Sequence, residues 1–95
     1  MIAPTFDADG SPTEETLEAI MAWSYPWAGL IDFVRAAWNH HYGRMWEEDG
    51  VLKLATGGWS ANEDVISALK DNLLFWTIRW ESSRRGGLFE LRMVK

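Results

Sequence analysis

The chain has 95 residues, 14 acidic against 9 basic, a formal charge of -5 and no cysteine. That is the length of one small domain, and its composition, 47% hydrophobic and 24% charged, is that of a globular chain rather than a disordered one. Without cysteine, a disulfide framework, a thiolate zinc site, an iron–sulfur cluster and a cysteine nucleophile are excluded, and the acidic balance argues against nucleic acid, whose phosphates require a positive field.

An acidic domain is suited to docking on a basic protein surface; the same charge also keeps an aromatic-rich surface in solution. The first residues show no basic segment followed by an apolar run, so no secretory signal is expected. No apolar run approaches the roughly 20 residues needed to span a bilayer. The expectation is a cytoplasmic protein without membrane contact.

Residues 1–10, with Pro4, Asp7, Asp9 and Gly10, have no periodicity and read as a flexible arm, with residues 11–95 forming a single domain. Ser11-Pro12-Thr13-Glu14 reads as a helix start: Ser11 caps, Pro12 fits the first turn, and Glu14 reaches back. Leu17, Ile20 and Met21 share a face of this helix, which Pro26 ends. A second helix is expected from about Trp27 to Tyr42. Its stripe is Leu30, Val34, Ala37, Trp38 and His41, widened by Ile31 and Phe33, and Gly43 stops it.

Asp49-Gly50 between MWEE and VLKLAT is a two-residue hairpin signal that sets Trp46 opposite Lys53 and Met45 opposite Leu54. Gly57-Gly58 ends the second strand. Ser60 with Glu63 forms a second capping box, opening a helix whose inward stripe is Ala61, Val65, Ala68 and Leu69. Asn62, Ser67, Lys70 and Asp71 are expected to face out, and Asn72 to end the helix. Trp59 has no staple partner, because Asp64 occupies the position that would meet it.

Leu74 to Glu81 alternates Leu74, Trp76, Ile78 and Trp80 with Phe75, Thr77, Arg79 and Glu81, which predicts a strand; the same letters could also extend the preceding helix. Arg84 to Gly87 reads as a turn, and Leu88 to Val94 alternates again. The predicted order is helix, helix, hairpin, helix, hairpin. This is an α+β fold, a small antiparallel sheet of two hairpins with three helices packed on one face.

The string GWSANEDVISALKDN, followed by FW and then SSRRGG before an aromatic, resembles a family of small proteins encoded in tailed-bacteriophage genomes. The matching positions are Gly58, Trp59, Ser60, Asn62, Glu63, Phe75, Trp76, Ser83, Arg84, Arg85, Gly86, Gly87 and Phe89, with Pro12 to Thr16 also similar. The family's pattern has His and Tyr after the two glycines. Leu88 and Phe89 stand here, so no histidine role carries over. The resemblance covers most of the chain and implies a setting, the host cytoplasm, rather than a chemistry. Small phage proteins often bind and redirect host proteins, which is analogy.

Other motifs carry plainer readings. His40 and His41, adjacent on a helix, point about 100° apart and cannot converge on one metal. No serine sits in a nucleophile-elbow context. Glu47-Glu48-Asp49 borders a turn and Glu63-Asp64 opens a helix, where negative charge is locally favoured. No catalytic constellation and no cofactor is expected. Ser82-Ser83-Arg84-Arg85-Gly86-Gly87 is the best candidate site: two guanidinium groups beside glycine amides suit a phosphate, a carboxylate or a partner protein. It is not a Walker A loop.

Seven tryptophans are too many for so small a core to bury completely, and tryptophan with arginine is enriched in interface hot spots. The expected contact surface is therefore Trp59, Trp76, Trp80, Arg84, Arg85, Gly86 and Gly87. It would serve a host or phage protein, or a second copy of the chain through exposed edge strands. The alternative is capture of a nucleotide or other anion by the arginine–glycine turn.

Overall fold

The structure, a computed structural model, describes residues 3–84 and 87–92. They form α1 (Glu14–Ala22), α2 (Ala28–Ala37), β1 (Arg44–Glu48), β2 (Val51–Ala55), α3 (Ser60–Asp71), α4 (Leu73–Arg79), β3 (Trp80–Arg84) and β4 (Leu88–Arg92). The α+β class and the antiparallel sheet are as expected. The arrangement differs: a fourth helix, α4, occupies most of the segment predicted as a strand.

The helix starts follow from local donors and acceptors. At α1 the cap is Thr13, two residues after the predicted Ser11; its Oγ1 accepts the Thr16 N–H at 3.3 Å. Ser11 instead belongs to the preceding turn, where the Asp7 carboxylate accepts the Asp9 and Ser11 N–H groups at 2.9 and 3.0 Å. Thr5 donates its N–H to Thr16 Oγ1 at 2.8 Å, and Phe6 bridges to Pro12, so residues 5–12 fold back on the start of α1. Ile20 is fully buried, with Leu17 and Met21 packed against the core.

Between α1 and α2 the chain turns through a cis Tyr25–Pro26 peptide. The second helix ends at Ala37, short of the predicted Tyr42. Asn39 is the cause: its Oδ1 accepts the N–H groups of His41 and Tyr42 at 2.9 and 3.1 Å, a side-chain turn that competes with the helical ladder. His41, placed by spacing on the inward stripe, is consequently exposed, while Leu30, Ile31, Phe33, Val34, Ala37 and Trp38 are buried.

The first hairpin has the expected register, with Met45 opposite Leu54 and Trp46 opposite Lys53. Asp49 and Gly50 both take positive φ, 55° and 78°, the type I′ requirement that makes Asp-Gly so strong a signal. The strand order is β1-β2-β4-β3, so the two hairpins meet at their inner strands. Leu52 lies directly opposite Leu91, and both are fully buried with Leu54 against the helices. On the other face Lys53 stands between Trp46 and Glu90, reaching Glu48 at 2.9 Å and Glu90 at 3.7 Å.

Two asparagines tie the layers together. Asn62, expected on the outer face of α3, is 1% exposed. Its Oδ1 accepts the Asn39 N–H at 2.8 Å, and its Nδ2 donates to the carbonyls of Asn39 and Thr56 at 3.1 and 3.3 Å. It therefore joins α3 to the ends of α2 and β2. Ser60, the predicted cap, is the first helical residue instead. Trp59 holds the cap position without a side-chain bond, its carbonyl accepting the N–H groups of Asn62 and Glu63.

Asn72 ends α3 as expected, and then does more. Its Oδ1 accepts the Phe75 N–H at 3.4 Å, starting α4, and its Nδ2 donates to the carbonyls of Ile20 and Trp23 at 2.9 Å each. One side chain thus stops one helix, opens the next and caps the end of α1. With the helix restarted at Leu73, the governing spacing is that of Phe75, Trp76 and Arg79, which turn inward one helical turn apart. Phe75 is fully buried and meets Trp27 edge-on at 5.3 Å. Core packing of this ring overrides the period-two alternation of the sequence.

Candidate functional site

The structure divides the predicted contact residues into two groups. At one end of the sheet, Trp59 follows β2 in the Gly57-Gly58 turn and stacks on Tyr42, ring centres 4.8 Å apart and planes 25° apart. The Thr56 carbonyl accepts the Trp59 N–H at 3.2 Å, and the Thr56 N–H donates to the Gly87 carbonyl at 3.0 Å. Gly87 has φ 78°, and a Cβ there would collide with Thr56 Oγ1, so both the conformation and the close approach require glycine. Gly87 is thus a structural joint between the second hairpin and the start of α3. Arg84 closes β3 opposite Leu88; its side chain, and Arg85 and Gly86 entirely, lie outside the described residues.

The second group lies along α4 and the start of β3. Trp76 is half-buried, edge-on to Phe89 at 6.4 Å, with Lys70 Nζ 5.8 Å from its ring centre and 5.2 Å from that of Phe89. The Lys70 cation lies within cation–π range of both rings, and Trp76 keeps part of its surface in solvent. Trp80 is different. It is 47% exposed, and its indole N–H donates to Ser83 Oγ at 2.9 Å. That bond satisfies the ring's polar edge and fixes its orientation at the edge strand.

Sequence reasoning missed the residues beside Trp80. Leu73, Leu74 and Ile78 are 73%, 60% and 54% exposed. Leu74 and Ile78 are one helical turn apart, with Leu73 next to them. Four large apolar residues therefore stand in solvent within one eight-residue stretch, on a helix whose opposite side holds Phe75 in the core. Read as a strand, the same stretch placed Leu74 and Ile78 on one face with Trp76 and hid this grouping. The available signal was Asn72, a helix-opening residue just before LLFWTIR.

The titratable motifs have structural partners. His40 Nε2 lies 2.9 Å from the Arg35 carbonyl, and the His41 ring meets Tyr42 edge-on at 4.8 Å. Glu48, from the acidic turn, bonds Lys53 at 2.9 Å. This contact, with the positive charge of Lys53 and the Trp46 indole N–H, holds the Glu48 carboxyl below its ordinary 4.5, and the same contact, with the negative charges of Glu48 and Glu90, raises Lys53 above 10.5. Among the described residues no group of three or more histidine, aspartate or glutamate side chains is placed to hold a metal, and no helix is long and apolar enough to cross a membrane. Comparison of the chain with protein-family models, with curated proteins and with solved structures finds no match.

Proposed function

We propose that this protein is a non-catalytic protein-binding module whose contact face is the exposed apolar run of α4 with Trp80. The observation that carries the reading is the burial contrast within α4. Phe75 is fully buried while Leu73, Leu74 and Ile78 face water, which nothing in the packing among the described residues explains. Contiguous exposed apolar residues mark interaction sites more often than isolated ones, and a tryptophan held by a side-chain bond is a suitable anchor. The partner is a host or phage protein in the host cytoplasm, in keeping with the resemblance to small phage proteins, and binding redirects it rather than transforming it.

The test is recovery of a partner from bacterial lysate by wild-type protein and by the double variant Leu74→Asp/Ile78→Asp. The expected outcome is a discrete protein retained by the wild type and lost with the variant, whose fold is unchanged by circular dichroism. Anion capture by the arginine–glycine turn predicts something else. Thermal stability would rise with a nucleotide or inorganic phosphate, and Arg84→Ala/Arg85→Ala would abolish the rise while Leu74→Asp/Ile78→Asp would not.

A further inference from the structure

All of the formal charge of -5 belongs to the first 43 residues. They hold six carboxylates against the single cation Arg35, whereas the rest of the chain holds eight charges of each sign. Arg35 is itself engaged by Asp32 at 3.3 Å and by Glu47 at 3.4 Å. Four of the six carboxylates, Glu14, Glu15, Glu18 and Asp32, lie on α1 and α2, and Asp7 and Asp9 lie in the segment before α1.

Between α1 and α2 lies an open groove of about 790 Å³. Ala19 and Ala22 line it from α1, Gly29 and Ala36 from α2, and its floor is Trp23 against Phe33, ring centres 5.2 Å apart. Gly29 lets the indole lie flat: a Cβ there would come within 3.1 Å of the Trp23 ring. Small walls and an aromatic floor leave an open cleft, also bordered by Ala3 and Pro4, at a volume in the ordinary range for binding clefts, about 300–1,000 Å³.

Glu18 is four residues before Ala22 and Glu15 four before Ala19, so both exposed carboxylates sit on the groove side of α1. Asp32 stands on the opposite lip. An acidic rim around an apolar cleft is complementary to apolar side chains flanked by cations and repels an anionic lipid surface. Most of the walls are helical, with Ala3, Pro4 and Ser24 completing them, and no β-strand lines the groove, so an added strand is not the mode. A helix laid into a groove is.

We propose that the α1–α2 groove is a second docking site, for a basic amphipathic helix of a partner protein, distinct from the α4 face. The experiment uses a designed leucine–lysine peptide with leucines at helical spacing, its counterpart with glutamate for lysine, and a version with the same composition at period two. Binding is followed by nuclear magnetic resonance on the full chain.

The expected result is that the first peptide binds and shifts the Trp23 indole N–H signal, while the other two bind at least about tenfold more weakly. Raising salt from about 50 to 200 mM weakens binding several-fold. Ala22→Arg and Ala36→Arg, on separate helices and at exposed positions, each weaken it about tenfold or more, and Glu15→Gln/Glu18→Gln weakens it less. Leu74→Asp/Ile78→Asp leaves it unchanged, so this proposal and the α4 reading fail separately.

Equal binding of the acidic peptide would overturn the proposal. So would shifts that avoid Trp23, binding unaffected by both arginine variants, retention on anionic vesicles through the same residues, or self-association abolished by Ala36→Arg.

Discussion

Asn62 uses one buried amide to satisfy three backbone groups from two separate segments. Replacing it with alanine strips a hydrogen bond from each and leaves the buried Thr56 carbonyl out of reach of water, and a stranded buried polar group costs about 1–3 kcal/mol. Asn62→Ala is expected to lower unfolding stability by about 2–4 kcal/mol in denaturant titration, a large share of what a domain of this size possesses. Gly43 belongs to the same joint, since a Cβ there would press on the Ala55 carbonyl and lie 2.6 Å from Asn62 Nδ2.

The Lys53–Glu48 pair acts in the opposite way, through charge at the surface. The Glu48 pKa is depressed, so its contribution is present above 4.5 and lost as pH falls through the lower folded value. The Lys53 pKa is raised, so its contribution is present below 10.5 and lost as pH rises through the higher folded value. Lys53→Met is expected to move the Glu48 titration up toward 4.5 in carbon-13 NMR. An unchanged titration would mean that the pair does not form in solution.

At the scale of an element, α4 separates two roles that lie side by side in sequence. Phe75→Ala removes a ring packed against Trp27 and is expected to cost about 3–5 kcal/mol. Leu74→Ser and Ile78→Ser remove side chains already in water, and each is expected to change stability by less than about 0.5 kcal/mol. If positions 74 and 78 instead resembled 75 in a thermal denaturation series, the exposed face would not exist. What made α4 hard to read is the same feature that makes it a candidate site: outward Leu73, Leu74 and Ile78 are as apolar as inward Phe75 and Trp76, so no continuous polar face marked the helix.

Where polarity and burial agree, as along the α3 stripe of Ala61, Val65, Ala68 and Leu69, the helix was legible, and Asp49-Gly50 gave the hairpin register because turn geometry is local. Asn62 and Asn72 were read as a surface residue and a simple stop. Asn62 bonds Asn39, 23 residues away, and Asn72 bonds Ile20 and Trp23, 52 and 49 residues away, and no local pattern announces those partners. Of the predicted contact residues, Trp80 is exposed, Trp76 is half-buried beside Lys70, and Gly87 has a conformation and close approach that require glycine.

Across the whole molecule, the two candidate surfaces differ in kind. The α4 face is apolar and projects outward; the α1–α2 groove is apolar within and acidic at its rim. Both are attached to one core, in which Ile20, Leu30, Val65, Phe75 and Leu91 belong to a continuous cluster. Asn72 bonds the end of α1 while opening α4, so the two surfaces are linked by a single buried amide.

The most direct measurement is photo-crosslinking in bacterial lysate with a benzophenone side chain at position 74, at position 78, and at Ser67 on the exposed side of α3 as control. The account predicts one discrete protein adduct from positions 74 and 78 and none from 67. Equal, diffuse labelling from all three positions, or no adduct from 74 and 78, would contradict it.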